Sequence, residues 1–197
     1  MNNRRKTSKK QQASGNIRII AGKHRGRKLP VLDADGLRPT TDRVKETVFN
    51  WLMPYMNGSY CLDCFAGAGS LGFEAYSRGA KQVTMIELNK SAAQQLMNNV
   101  QTLKADNINV VQSDALVFLK NTSQPYDIAF IDPPFRQGLA EQVIEQINNG
   151  WLSDEALVYV ETESENILSN VPANWHLIKE KTAGQVVYRL FKVNSLK

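Results

Sequence analysis

The run Asp63–Gly72 contains residues of the types and spacing that can hold a nucleoside. It carries the pattern Gly-x-Gly-x-x-Gly at Gly67, Gly69 and Gly72, directly after an apolar segment typical of a strand. Glycines let the backbone turn sharply and approach a ligand closely. The same pattern occurs in dehydrogenases, where a helix N-terminus faces a pyrophosphate, so the pattern alone leaves the ligand open.

Three acidic residues favour a nucleoside with a cationic amino-acid tail. Asp63 ends the first predicted strand, where a carboxylate suits an ammonium and a sulfonium, and its burial there favours a functional partner. Glu87 follows Gly67 by 20 residues and can accept hydrogen bonds from both ribose hydroxyls. Asp114 can pair with an adenine amino group, with an N-cap as the alternative. Together the three acids predict S-adenosylmethionine as the cofactor.

The run Asp132-Pro133-Pro134-Phe135 could present an amino group to a methyl donor. An exocyclic amino group on a base has hydrogens to donate and a delocalised lone pair, so it needs acceptors more than a strong base. Asp132 and a backbone carbonyl could take both hydrogens, because the two prolines stiffen the turn. Phe135 could stack on a base taken out of its helix. The alternative is a tight loop whose phenyl ring fills the core.

The alternation of strand-like and helix-like segments places both runs at one edge of a sheet. Strands are predicted at residues 60–64, 82–87, 108–112, 126–131 and 156–161. Helices are predicted at residues 70–78, 89–104, 114–120 and 137–148. This order indicates an α/β fold with a doubly wound, mostly parallel sheet. Segments 175–181 and 186–192 add an antiparallel hairpin, as in a Rossmann-like class I methyltransferase.

The N-terminal part of the chain is strongly basic. Residues 1–30 contain ten Lys or Arg and no acid, whereas the rest carries 14 basic and 19 acidic residues. A basic arm on a mildly acidic body suggests a polyanionic partner that the arm contacts through phosphates. For residues 1–15, which we expect to be disordered, a solvated tail that aids solubility is the alternative.

Residues 16–56 are predicted to form a small extension, and residues 57–197 the cofactor-binding body. The extension has strand candidates at 17–20 and 27–29, followed by a helix that a Thr or Asp caps and Pro54 ends. One face of this helix is predicted to be apolar, with Val44, Val48, Trp51, Leu52 and Tyr55.

Two small side chains, Cys61 and Cys64, are predicted to be buried and unpaired. Zinc would need two more soft ligands nearby, and residues three apart on a strand point to opposite faces, so we expect no metal. No apolar run reaches the roughly 18 residues of a membrane span. Nothing resembles a signal peptide, and we expect a cytoplasmic protein.

On these motifs the chain resembles the RsmD family, the bacterial 16S rRNA guanine-N2-methyltransferases, over roughly residues 16–192. The resemblance rests on segments 17–22, 25–30, 37–46, 63–72, 132–135 and 183–185. It implies methyl transfer from S-adenosylmethionine to N2 of one guanine of 16S rRNA, in the small ribosomal subunit or its assembly intermediate. We expect the protein to act on this partner as a monomer, without a membrane.

The resemblance also implies roles for individual residues. Asp132, Pro133, Pro134 and Phe135 would hold the guanine. The cofactor would be held by Asp63, Phe65, Ala66, Gly67, Gly69, Leu71, Glu87, Leu88, Asp114 and Ala115. The arm would meet RNA through Arg18, Lys23, Arg25, Arg27, Lys28, Arg38, Thr40 and Arg43.

Other functions stay open at this point. One is an adenine-N6 or another nucleic-acid amino methyltransferase, although related adenine enzymes more often carry Asn where Asp132 stands. Another is a non-catalytic RNA-binding assembly factor on the same fold. A small-molecule methyltransferase or a nicotinamide enzyme would leave the basic arm unexplained.

Overall fold

Strands and helices alternate along the body of the chain in the predicted order. The computed structural model describes residues 13–32, 41–121, 124–135 and 137–194. The strands are β1 Ala13–Arg18, β2 Lys28–Leu32, β3 Tyr60–Asp63, β4 Gln82–Glu87, β5 Ile108–Gln112, β6 Tyr126–Ile131, β7 Leu152–Glu163, β8 Trp175–Ala183 and β9 Val186–Val193. The helices are α1 Asp42–Met56, α2 Ser70–Ser77, α3 Lys90–Leu103, α4 Ala115–Phe118 and α5 Leu139–Ile147.

The main sheet has seven strands in the order β5-β4-β3-β6-β7-β9-β8. Neighbours from β5 to β7 pair in parallel, whereas β9 pairs antiparallel with both β7 and β8. The predicted doubly wound sheet with a terminal antiparallel hairpin is therefore confirmed. The strand order reverses next to β3, and a crevice for ligands forms at such a point outside the carboxyl ends of the strands.

Apolar side chains fill the core on both faces of this sheet. One cluster packs α1, α2 and α3 against residues such as Phe130 and Tyr159, and a second packs α4 and α5 against residues such as Ile131. Cys61 belongs to the first cluster and Cys64 to the second, and both are free. Both side chains are buried, which confirms the prediction of two small buried side chains. Burial also raises the pKa of each thiol.

The N-terminal extension is an antiparallel hairpin, β1–β2, followed by α1. Strand β1 begins at Ala13, which pairs with Leu32, so the predicted disorder is wrong for residues 13–15. Backbone pairing with β2 orders these residues, and their polar composition carries no sign of it. Residues 1–12 lie outside the described part of the chain.

Helix α1 differs from its prediction at its end and on its buried face. Thr41 caps it by accepting a hydrogen bond from the Val44 N–H, but the helix continues past Pro54 to Met56. A proline in the last turn removes only one N–H donor, so the helix need not stop there. Tyr55 is 51% exposed, and Phe49 and Met56 are buried instead.

A close contact at Gly22 fixes the extension to the carboxyl end of α2. The Lys23 N–H donates to the Ser77 carbonyl at 2.7 Å, and the Ser77 hydroxyl donates to the Ala21 carbonyl at 2.6 Å. Gly22 has φ +79°, and a Cβ there would lie 1.8 Å from the Ser77 carbonyl oxygen. Only glycine fits, so the hairpin and α2 approach each other backbone to backbone.

Within the described residues, no helix combines the length and the apolar character that a membrane crossing requires.

Candidate active site

The two runs that could do chemistry leave the sheet side by side. Asp63 and Phe130 are register partners on the parallel neighbours β3 and β6. The glycine loop follows β3, and Asp132 is the first residue after β6, which ends at Ile131. Both therefore lie at the carboxyl edge, next to the point where the strand order reverses.

Glu87 holds the glycine loop against β4. Its carboxylate accepts hydrogen bonds from the Gly67 N–H at 2.8 Å and from the Asn89 N–H at 2.7 Å. Burial raises the pKa of Glu87, and these two donors oppose that rise. An ionised carboxylate accepts about four hydrogen bonds, so these two bonds leave capacity for ribose hydroxyls.

Gly69 shows why the loop needs glycine. It precedes α2 in the left-handed conformation, with φ +82°. A Cβ there would lie 2.5 Å from the Phe73 ring and 2.7 Å from Leu96. The loop thus packs directly on the core at this position.

Asp63 is almost fully buried beneath the loop. One oxygen, Oδ2, accepts a hydrogen bond from the Gly72 N–H at 3.2 Å, whereas Oδ1 has no hydrogen bond of good geometry among the described residues. The Phe65 N–H is nevertheless close enough to lower the pKa of the carboxyl group, as the Gly72 N–H does. The glycine loop itself therefore supplies one of the hydrogen-bond partners that we expect for Asp63. The second oxygen is a buried acceptor that a cationic ligand group would satisfy.

Several other predicted cofactor residues have buried side chains. Ala66, Leu71 and Ala115 belong to the core, and Phe65 packs against it. Any contact of the three buried residues with a ligand would therefore come from their backbone atoms. Leu88, by contrast, is 65% exposed beside Glu87 and can cover a flat ring.

Asp114 follows β5 and caps α4. Its side chain accepts a hydrogen bond from the Val117 N–H at 3.0 Å, so the N-cap alternative is correct for one oxygen. The strand ends next to it are joined, since the Ser113 N–H donates to the Glu87 carbonyl. Asp114 and Glu87 thus lie on adjacent strand ends, where one nucleoside could contact both.

The run after β6 exposes its aromatic ring. Pro133 is buried and Pro134 is exposed, while Asp132 is partly buried. Phe135 is 38% exposed, so the alternative in which its ring fills the core is wrong. The ring is available to a planar ligand at this edge of the sheet.

Comparisons with known proteins decide the family. The family model described as "Conserved hypothetical protein 95" matches residues 17–192. A relative from Escherichia coli K12, named ribosomal RNA small subunit methyltransferase D, is 59% identical over 180 residues, which cover 91% of each chain. A relative of the same name from Haemophilus influenzae is 57% identical, and the match covers 91% of this chain and 95% of that one.

The chain belongs to the RsmD family. A solved structure of a putative methyltransferase from Escherichia coli agrees, with a TM-score of 0.87 and 56% identity over 91% of this chain and 99% of that one. The resemblance read from the motifs and the Rossmann-like methyltransferase fold are both confirmed.

The basic residues that the resemblance assigns to RNA line the extension of this RsmD-family protein. Lys23, Arg25, Arg27, Lys28 and Arg43 are exposed. Arg18 pairs with Asp42 at 2.6 Å and, with Arg25, lines an open cleft of about 610 Å³. Arg38 and Thr40 lie outside the described residues.

The hairpin also reaches the cofactor edge. Leu32, the register partner of Ala13, lines a small hollow with Gly67 and Ala68. The end of β2 therefore lies beside the glycine loop.

Cofactor affinity is expected to fall as the pH drops below about 7. Burial raises the pKa of Asp63 to about 7, and the nearby Glu87 charge adds to this rise, so the carboxyl group is protonated in the free protein at lower pH. A cationic ligand group favours the ionised form, so binding must then release a proton. Affinity should weaken by up to about tenfold per pH unit below that pKa.

Titration calorimetry from about pH 5 to about pH 8 would measure this slope. The Asp63→Asn variant has no titrating group at this position and should bind more weakly with a flatter profile. The same slope in the variant would contradict the role of Asp63.

Proposed function

We propose that this protein transfers a methyl group from S-adenosylmethionine to the exocyclic N2 of one guanine in 16S rRNA of the small ribosomal subunit. The observation that carries the proposal is the juxtaposition of Asp132–Phe135 with the glycine loop at one sheet edge, in a member of the RsmD family. The names of the relatives support ribosomal RNA as the substrate.

The residues at the edge fit the cofactor group by group. S-adenosylmethionine supplies an electrophilic methyl group on a sulfonium. The buried Oδ1 of Asp63 suits the positive charge of the amino-acid tail, and Glu87 suits the ribose hydroxyls. The free carboxylate capacity of Asp114 suits the adenine amino group, and the exposed Leu88 covers the ring.

Asp132 is proposed to orient the guanine amino group. Its carboxylate and a backbone carbonyl of the proline turn accept the two N2 hydrogens, which directs the nitrogen lone pair at the methyl carbon. When bound, the cofactor would supply the methyl group: its carbon–sulfur bond would break as the N2–carbon bond forms, and sulfur would keep the electron pair. Asp132 can accept the proton that N2 then loses, while Phe135 stacks on the base.

Methyl transfer with labelled cofactor tests the proposal directly. Small subunits, free rRNA and DNA would each be offered as acceptors, and the labelled nucleotide would be mapped. We expect label at N2 of one guanine of 16S rRNA. Equal labelling of DNA would contradict the RNA substrate, and label at adenine N6 would contradict the guanine assignment. A cytoplasmic location and a monomer, checked by fractionation and light scattering, stay part of the proposal.

Deleting residues 1–12 is expected to weaken RNA binding and to reduce its salt dependence. The segment carries five Lys or Arg, and each phosphate contact that it makes releases a counterion. The slope of log affinity against log salt concentration should fall by up to about 4. Filter binding over a salt series would measure it. A variant with the same five residues replaced by Gln should match the deletion, and an unchanged slope would leave the segment without a role in RNA binding.

A further inference from the structure

A second acidic residue, Glu161, lies beside Asp132 at the candidate active site. Strands β6 and β7 are parallel neighbours, and Ile131 is the register partner of Val160. The next residue on each strand path is Asp132 and Glu161. Asp132 follows the end of β6 and Glu161 lies within β7, so the two occupy the same height on adjacent strands.

The side chains of Glu161 and Asp132 share one face of the sheet. Phe130 and Tyr159 belong to the same core cluster, and residues two apart on a strand point the same way. Tyr188, the register partner of Glu161 on β9, belongs to that cluster too. The Asp132 charge also acts on the Tyr159 hydroxyl, which places Asp132 near this group.

Tyr159 fixes the Glu161 carboxylate. Its hydroxyl donates a hydrogen bond of 2.6 Å to Glu161 Oε2. Burial, together with the charges of Glu161 and Asp132, raises the pKa of Tyr159 well above its ordinary value, so the hydroxyl stays protonated and remains a donor. Glu161 retains 9% exposure at the sheet edge, and its carboxylate can accept about four hydrogen bonds in total.

Guanine presents two neighbouring donors to such a pair of acceptors. Its N2 amino group and its N1–H lie side by side on the base edge, whereas adenine and 2-aminopurine have an unprotonated N1 that accepts. A carboxylate facing N1 would accept the N1–H of guanine. The same carboxylate would repel the N1 lone pair of adenine or 2-aminopurine. A site whose buried acceptor pairs with a hydrogen-bond donor of the substrate strongly rejects analogues that lack this donor.

We propose that Glu161 accepts the N1–H of the target guanine and thereby selects guanine over other purines. Asp132 holds the N2 amino group beside it, and Tyr159 is a positioning residue that orients Glu161. This inference rests on the proposed function, because it takes N2 of guanine as the methyl acceptor.

The test compares guanine with 2-aminopurine at the mapped nucleotide. The 2-aminopurine base keeps the N2 amino group but lacks the N1–H and the O6 atom. Small subunits reconstituted with 16S rRNA carrying either base would be methylated by the wild type and by Glu161→Gln. We expect the wild type to favour guanine at least about 100-fold in kcat/KM. In Glu161→Gln the preference should shrink about tenfold or more, because the amide can rotate to donate to an unprotonated N1.

Matched variants separate selectivity from stability. Glu145→Gln makes the same charge change on the exposed face of α5 and should leave the preference unchanged. Tyr159→Phe keeps the ring but removes the hydrogen bond that it donates to Glu161, so it should shrink the preference less than Glu161→Gln and lower kcat more than it raises KM. It also gives a second reading if Glu161→Gln folds poorly. The 2-aminopurine substrate lacks O6 in every assay. This difference therefore contributes to the base preference of every variant and does not explain a change between variants.

The outcomes distinguish this inference from the proposed function. If the wild type methylates guanine N2 but neither Glu161→Gln nor Tyr159→Phe alters the base preference, the role of Glu161 is overturned. If the wild type leaves guanine N2 unmodified in these subunits, the proposed function itself fails. A reduced preference in both variants, with Glu145→Gln at the wild-type value, supports the inference.

Discussion

Replacing Asp132 with alanine is expected to lower the rate constant of methyl transfer about a thousandfold, with little change in the affinity for cofactor. The reason is local. The alanine side chain removes the acceptor that orients the amino group, whereas the glycine loop, Glu87 and Asp114 are untouched on other strands. Single-turnover methylation of small subunits would measure the rate constant, and calorimetry the cofactor affinity. RNA binding should also persist, because the arm is unchanged.

Two further substitutions sharpen the Asp132 result. Asp132→Asn keeps an oxygen acceptor and should lose much less activity, about ten- to a hundredfold. Asp106→Ala removes an exposed carboxylate in the turn before β5 and should match the wild type. Undiminished turnover in Asp132→Ala would remove this residue from the mechanism and favour a different acceptor for the amino group.

The elements that position the site were predictable where apolar runs are short and bounded by turns. Strands β4, β5 and β6 occupy the predicted residues 82–87, 108–112 and 126–131. Strand β7 was predicted too short, because it begins at Leu152 and passes through Ser153-Asp154-Glu155 before its apolar core. Those polar residues lie in a register irregularity between the Tyr126–Leu152 and Ile128–Leu157 pairs, and their side chains do not show the alternation typical of a strand.

Some residues of the candidate site could be predicted from the sequence, and others could not. The glycine loop and Asp132–Phe135 are contiguous in sequence, so residue type and spacing predict them. Glu161 carried a usable signal, since it ends the strand predicted at residues 156–161 as Glu87 ends the one at 82–87, although β7 continues to Glu163. Its relation to Asp132 depends on the pairing of β6 with β7, which emerges only from the fold.

Glu74 is the clearest residue that the sequence could not reveal. It is fully buried on α2, and its carboxylate accepts hydrogen bonds from the N–H groups of Ile20 and Ala21, more than 50 residues away. Arg78 donates to the same carboxylate at 2.7 Å and lies 4.9 Å from the centre of the Phe49 ring. A single side chain thus connects the extension, α2 and, through Arg78, α1.

Glu74→Ala is therefore expected to lower the free energy of unfolding by about 3–5 kcal/mol, because it leaves two N–H groups and a guanidinium that is only 14% exposed without their acceptor. The melting temperature should fall by roughly 6–20 °C for a chain of this size. Chemical denaturation and calorimetry would measure both quantities.

The same contact predicts a functional loss that stability alone would not give. In Glu74→Ala the hairpin should detach from α2 below the melting temperature, so proteolysis between Ile20 and Arg27 should accelerate. RNA affinity should fall further than cofactor affinity, because the basic residues of the hairpin lose their fixed position while the glycine loop is held by Glu87. Glu74→Gln keeps one oxygen acceptor, so its RNA affinity and its rate of proteolysis should lie between those of Glu74→Ala and the wild type. Equal losses of RNA and cofactor affinity would show that Glu74 supports the whole fold and does not specifically anchor the extension.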